Sequence, residues 1–323
     1  MEQANYKIVA DGEDITGLIR DRFISLSVTD APGEASDTMT LELDNRDQRL
    51  PLPATGAALQ VWIGMGESLV FKGNYQVSEL EEPLEEDVLT IHGKAAKMKG
   101  SLKAPRNASY DKITLQALVD QIAQRHGYTP KVSADFAAHR FEHIDQNAES
   151  DMSLLTRLAR DLGAIVKPVA DHLIVVKRGE SRSVSGQALP VITIADPQNS
   201  KGRVAIQERD DYQSVVAQWF DESAQKKVSV TAGEGAPVYT MRGQYSDAAT
   251  ATAAARSKLG QLQRGKRTLD LDRPLAAEIV PDCTVNLVNH KASANGAWLA
   301  DQVTHTIRSG EIGNTTVQLL TPG

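Results

Sequence analysis

The sequence predicts a mainly β fold with an α+β insertion. Short runs that alternate apolar with polar residues recur on both sides of the chain's middle, the pattern of strands with one buried face. Turn residues divide those runs at short intervals, as in an antiparallel barrel or sandwich. Helical periodicity replaces the alternation only around 109–163 and once more near 246–265. The chain accordingly divides into a first strand-rich segment, 1–107, an inserted helix-plus-strand module, 108–180, and a second strand-rich segment with one helix, 181–323.

In the first segment "YKIVA" meets "DG", a hairpin signal, and "FISLSV" follows. "DTMTLELD" sets Met39, Leu41 and Leu43 on one face and Thr38, Thr40 and Glu42 on the other. "ALQVWIGM", "LVFKGNYQVSEL" and "DVLTIHGK" are further strands, with "GMG" (64–66) as a turn between two of them. "RDQRLPLPATG" has too many prolines for a central strand and reads as a connection. The acidic "ELEEPLEED" reads as a solvated turn.

Beyond residue 108, "ITLQALVDQIAQRHG" places Leu115, Leu118, Val119 and Ile122 at helical spacing, with Thr114 as N-cap and Gly127 as stop. Leu155, Leu158, Ala159 and Leu162 form a second stripe, ended by Gly163. "AIVKPVADHLIVVKRG" predicts a hairpin turning near Ala170 and Asp171, and "KRGESRSVSGQ" (177–187) a linker. The last segment returns to strands in "VAIQERDDYQSVVAQWF", "KVSVTA", "PVYTMRG", "RTLDLD", "TVNLVN", "WLADQVTHTIRSG" and "TTVQLL". Its helix, "SDAATATAAARSKLGQLQRG", has an alanine-rich face suited to close packing and Ser246 as its expected cap.

Composition narrows the function. The chain has 323 residues, 41% of them hydrophobic and 24% charged, as in globular proteins. Its formal net charge of -7 argues against a dominant, specific nucleic-acid surface, which concentrates Lys and Arg. The single cysteine, Cys283, excludes an intrachain disulfide framework and lies in a strand-like run where a small core residue is expected. "MEQANYKIVADGEDI" lacks the basic and apolar regions of a secretory signal, and no apolar run nears the ~20 residues that span a bilayer. Synthesis in a cytoplasm, without a membrane anchor, is the expectation.

Two clusters invite a chemical reading. Asp145, Glu149 and Asp151 crowd around Ser150 just before the leucine stripe. A carboxylate pair that hydrolyses would face across a cleft, roughly 5 to 9.5 Å apart. Ser150 instead stands where a cap belongs, and Glu149 and Asp151 place negative charge at the positive end of a helix. "HRFEH" (139–143) matches the H-x-x-E-H zinc pattern, which needs a helix so that His139 and His143 share a face while Glu142 acts as base. "FEHIDQ" alternates like a strand, so exposed histidines on a turn and a strand are expected, with a zinc peptidase or murein hydrolase as the alternative. His305 is expected to be a packed or interface histidine and not a base, and Trp62, Trp219 and Trp298 are expected to lie in the core. No metal or cofactor is called for.

The ordered set of segments resembles the late control gene D family, the tail or baseplate hub proteins of contractile-tailed phages, whose core also occurs in type VI secretion spikes. The resemblance lies in "DTMTLELDNRDQRLPLPATGAALQVWIG", "LVFKGNYQVSELEE", "DVLTIHGKAAKMKGSLKAPRN" and "GAWLADQVTHTIRSGEIGNTTVQLL". It lies also in a Q-x-x-E-S-D helix opening, here Gln146, Glu149, Ser150 and Asp151, followed by Leu155, Arg157, Leu158 and Gly163. The aromatic that many members place in the first turn is leucine here, Leu154 or Leu155 by alignment.

The resemblance implies two small antiparallel β-barrels flanking an inserted α/β module. It also implies a non-enzymatic homotrimer that joins a sixfold tail tube and baseplate to a threefold spike in a phage tail or phage-like particle. A chain ending at Gly323 is expected to be a short hub with its needle on a separate chain; a truncated type VI spike core is the other alternative.

Overall fold

A computed structural model describes residues 3–31, 37–95, 100–169, 171–177, 189–206, 212–221, 223–242, 245, 247–264 and 266–322. Residues 178–187 of the expected linker 177–187, the turn residue Ala170 and the expected cap Ser246 lie outside the described residues. The fold is mainly β with an α+β part. Its contacts group into two compact units. One comprises Met1–Lys97, Val191–Val204 and Leu269–Leu319; the other comprises Met98–Pro190, Ala205–Thr268 and Leu320–Gly323. Both are discontinuous in sequence.

Non-local pairing is the reason. The large sheet runs in the order Lys201–Ile206, Arg267–Pro274, Asn314–Leu320, Gly296–Arg308, Phe23–Asp30, Thr38–Asp44, Val88–Ala95, Ser68–Glu81, Ala58–Met65, Ala4–Ala10 and Glu13–Asp14. Val191–Ile194 adds a parallel strand to Thr284–Leu287, which pairs with Gly296–Arg308. Thr29 and Thr304, 275 positions apart, lie side by side and share a 3.0 Å hydrogen bond. First and last segments thus share one sheet, and the pairing among the described residues is an open path that does not close them into two rings.

The first unit's core follows from the alternation. Met39, Leu41 and Leu43 are buried beside Leu26, Val28, Val61, Ile63, Tyr75 and Ile91. Each such aliphatic side chain contributes roughly 1.5–3 kcal/mol through burial. At "GMG" the turn comes at Gly66, while Gly64 and Met65 are still strand. A Cβ at Gly64 would stand 1.8 Å from the Ser68 carbonyl oxygen, so the hairpin needs glycine there. Trp298 and Cys283 are core residues. Trp62 and Trp219 are only half-buried, and Trp62 packs outward on Phe71 at 4.9 Å between ring centroids, because alternation turns Val61 and Ile63 inward instead.

In the second unit Pro105–Thr114 and Arg140–Ser150 form an antiparallel pair. Helices Leu115–His126 and Asp151–Leu162 follow those strands directly. Thr114 accepts a hydrogen bond from the Ala117 N–H, and Gly127 ends the first helix in the left-handed region at φ 65°. Gly163 does the same for the second at φ 72°. Ala164–Val169 and His172–Lys177 make the expected hairpin, joined in parallel by Thr129–Val132. A separate sheet of Lys226–Gly233, Ser214–Asp221 and Val238–Thr240 packs with the helix Ala248–Gln263, which buries Thr250, Ala251, Ala254 and Ala255. Asp247 caps that helix by accepting from the Thr250 N–H. Among the described residues no helix is long and apolar enough to cross a membrane.

Candidate functional site

The motif residues meet where the strand Arg140–Ser150 becomes the helix Asp151–Leu162. The strand's register shifts between Gln146 and Glu149, with Ala148 at φ 46°. Gln146, 2% exposed, donates to the Glu149 carbonyl at 2.9 Å and to Asp151 Oδ1 at 2.8 Å. Its Oε1 accepts from the Tyr110 hydroxyl at 3.3 Å. Asp151 is buried at the first helical position, and its Oδ2 accepts from Arg125 at 2.6 Å and His126 Nε2 at 2.8 Å, with Arg106 at 3.8 Å. His126 Nδ1 meets the Ser101 hydroxyl at 2.8 Å.

A buried carboxylate is costly unless its oxygens are satisfied. Burial alone would raise the Asp151 pKa, but hydrogen bonds from His126, Gln146 and Arg125 outweigh it and hold the carboxyl below the ordinary value. Ser150 Oγ accepts from the Ser153 N–H at 3.1 Å. Glu149 takes a two-pronged contact from Arg157 at 3.1 and 2.8 Å, and Arg157 also donates to the Asp145 carbonyl at 3.2 Å. Leu155 and Leu158 enter the hydrophobic core. The structure therefore brings Gln146, Glu149, Ser150, Asp151 and Arg157 together at one corner. Glu149 and Asp151 are each committed to cationic partners, an arrangement that fixes two helices and two strands to one another.

The segment 139–143 is not a helix. A four-residue helix, Ala134–Ala137, ends before it, and 140–150 is strand. His139 packs edge-on against Phe141 and lies 3.4 Å from the Thr250 hydroxyl. His143 is exposed, with Nδ1 2.6 Å from Asp111 and Nε2 3.1 Å from Asp145. Those carboxylates sit at opposite nitrogens of one ring, so they cannot converge with it on one ion. Glu142 is exposed, with Arg140 at 3.8 Å. Among the described residues no group of three or more His, Cys, Asp or Glu side chains is placed to hold a metal.

A second polar cluster lies in the first unit. Lys72 is buried, and its ammonium donates to the Ala277 carbonyl at 2.6 Å and meets His305 Nε2 at 2.9 Å. His305 Nδ1 lies 2.9 Å from the Thr315 hydroxyl, which also accepts from the Ala276 N–H. Burial and the Lys72 charge push His305 down to about 3, so it is neutral near pH 7. Nε2 also lies 3.1 Å from the Ile279 carbonyl oxygen, so that nitrogen faces both the Lys72 ammonium and a backbone acceptor. Burial lowers Lys72 as well. His305 was expected to be packed; the buried lysine was not. A β-bulge in the lysine's own strand, where Val61 pairs with Gly73 and Trp62 with Phe71, leaves Lys72 as the extra residue, turned inward beside an outward Phe71, and no feature of "LVFKGNYQV" announces it.

These geometries are those of a scaffold, and comparison with known proteins points the same way. A family model described as phage tail baseplate hub (GPD) matches residues 36–311. The probable baseplate hub proteins of Escherichia phages 186 and P2 are each 31% identical over 348 aligned positions, covering 94% of this chain and 90% of theirs. Among solved structures, the prophage MuSo2 43 kDa tail protein from Shewanella oneidensis aligns with a TM-score of 0.70 at 15% identity, covering 99% of both chains. An Escherichia coli component of the type VI secretion system aligns at a TM-score of 0.55 and 11% identity, covering 94% of this chain and 74% of that one.

Proposed function

The chain belongs to the phage tail baseplate hub (GPD) family, and from that premise we propose that it forms a trimeric ring joining a sixfold tail tube and baseplate to a threefold spike. It is a structural component of a phage tail, in a family that is not enzymatic. The observation that most supports the ring reading is likeness to baseplate hubs along 94% of the chain.

Two strand-rich segments per subunit, 1–107 and 181–323, would offer six similar faces in a trimer, which lets threefold and sixfold neighbours meet. Heterologous contacts close into rings when the rotation between copies closes. The module at 108–180 would be anchored by Gln146, Glu149, Ser150, Asp151, Leu155, Arg157, Leu158 and Gly163, so that load passes through it without local opening. Its partners in this reading are a second and third copy, tail tube or baseplate proteins, and a spike chain. Synthesis in the host cytoplasm precedes assembly into the tail.

Light scattering coupled to size exclusion tests the ring. A mass near three times 35.0 kDa is the expected result. A strict monomer, alone and with co-expressed tube and spike proteins, overturns it.

A further inference from the structure

A buried carboxylate, a buried imidazole and the hydroxyl of an exposed residue stand in line in the second unit. Asp151 Oδ2 lies 2.8 Å from His126 Nε2, and His126 Nδ1 lies 2.8 Å from Ser101 Oγ. Asp151 is 1% exposed and His126 7%, whereas Ser101 is exposed on the short 3-10 helix Gly100–Lys103. Packed elements hold all three. His126 is the last residue of the helix Leu115–His126, Asp151 the first of Asp151–Leu162, and Leu102, next to Ser101, is fully buried in the core that both helices share.

The protons follow from the partners. Asp151 is held ionised by its hydrogen bonds, so it only accepts, and the ring nitrogen facing it, Nε2, carries a hydrogen. In the neutral ring Nδ1 is then an acceptor, and the Ser101 hydroxyl donates to it. A hydroxyl that donates to an imidazole, itself oriented by a carboxylate, is the arrangement that makes a serine nucleophilic. The helix capping and core packing already described account for Asp151, Ser150 and the leucines, but they do not require a serine at the outer nitrogen of His126.

We propose that Ser101 is a nucleophilic serine that takes an acyl group from an activated ester. Ser101 Oγ bonds to the ester's carbonyl carbon, and its proton passes to His126 Nδ1. The ester C–O bond then breaks, and the departing alkoxide or phenoxide leaves with that proton. Asp151 stabilises the imidazolium that exists between the two transfers. A positioned base contributes about 10²–10⁴-fold to such a step. The relay by itself supplies no donors for the oxyanion, so the product is a stable acyl-serine and not turnover, in keeping with a family that is not enzymatic. This reactivity is independent of the ring reading.

The probe is p-nitrophenyl acetate, applied briefly to the full chain and followed by peptide mass spectrometry. Ser153 and Ser229, exposed serines of the same unit, are the internal standards. Ser101 should be acetylated about a hundredfold faster than either. His126→Gln should bring Ser101 down to their rate, with far-UV circular dichroism reporting whether the fold is kept. Because that substitution alters a buried corner, Ser101→Cys gives a second reading with the relay in place. Cys283 is buried, so the introduced thiol is the accessible one. Iodoacetamide should alkylate it at least about tenfold faster near pH 7 than the thiol of Ser229→Cys, since a neighbouring imidazolium favours the thiolate. Acetylation of Ser101 at the rate of Ser153 and Ser229 overturns the proposal. So does a thiol in Ser101→Cys no faster than that in Ser229→Cys, or fast acetylation that survives His126→Gln in a folded chain.

Discussion

Arg125 and Asp151 meet at 2.6 Å, joining the last turn of one helix to the first turn of the next. His126 shares the same carboxylate oxygen, and the charge is closed off from water. Asp151→Ala should therefore destabilise the protein by about 1–3 kcal/mol, the cost of leaving the buried Gln146 and His126 donors without their acceptor. Urea unfolding followed through the helical signal measures it. A loss no larger than that of an exposed ion pair, below about 1 kcal/mol, would mean the corner is solvated and anchors nothing.

Ser150 makes a smaller and separable contribution. Its hydroxyl accepts from the Ser153 N–H, one of the four donors that a helix start leaves without partners. Ser150→Ala should cost about 0.5–2 kcal/mol, whereas Ser150→Asp should be nearly neutral because aspartate caps as well. Equal destabilisation by both substitutions would point to a packing role for Ser150 in place of capping.

The Lys72–His305 cluster predicts an acid limb in the stability of the first unit. His305 is held at about 3, below its ordinary 6.5, first by burial and then by the Lys72 charge. As pH falls below 6.5 the unfolded chain takes up this proton and the folded chain does not. The contribution is complete above pH 6.5, declines through the window from 6.5 to 3 by at most about 1.4 kcal/mol per unit, and levels off below it. Chemical denaturation at a series of pH values should show that slope, and His305→Gln should flatten it in the same window. An unchanged slope in the variant would assign the acid limb to carboxylates instead.

Much of this was legible because local rules sufficed. Leu115, Leu118, Val119 and Ile122 predict one buried helix face, and Ser150 and Gly163 mark the two ends of another, without reference to any other part of the chain. What escaped was set by distant partners or by a change of parity. The strand Pro105–Thr114 buries only Tyr110 and Ile113, so its alternation is too sparse to read. Arg125 and His126 look like ordinary basic residues at a helix end until the fold brings Asp151, 25 positions beyond His126, against them. Asp247 and Ser246 are both good caps by type, so type alone does not separate neighbouring residues. The pairing of Thr29 with Thr304 is likewise invisible in sequence, since neither carries a mark of the other.

His143 offers a test of the motif 139–143 that needs no assay of activity. Its ring lies between Asp111, directly opposite on the neighbouring strand, and Asp145, two residues along its own. Hydrogen bonds to Asp111 and then to Asp145 raise its pKa above the ordinary 6.5. Both favour the charged ring, so the imidazolium persists to higher pH than in a free histidine. Titration of the His143 ring protons by NMR should give a midpoint above 6.5, and Asp111→Asn should lower it more than Asp145→Asn does, following the order of the two contacts. Added zinc should leave that titration unchanged, because a metal would have to take a ring nitrogen that already faces a carboxylate. A zinc-dependent collapse of the titration, lost in His139→Ala, would instead show that the two histidines converge on an ion, contrary to their placement on a turn and a strand.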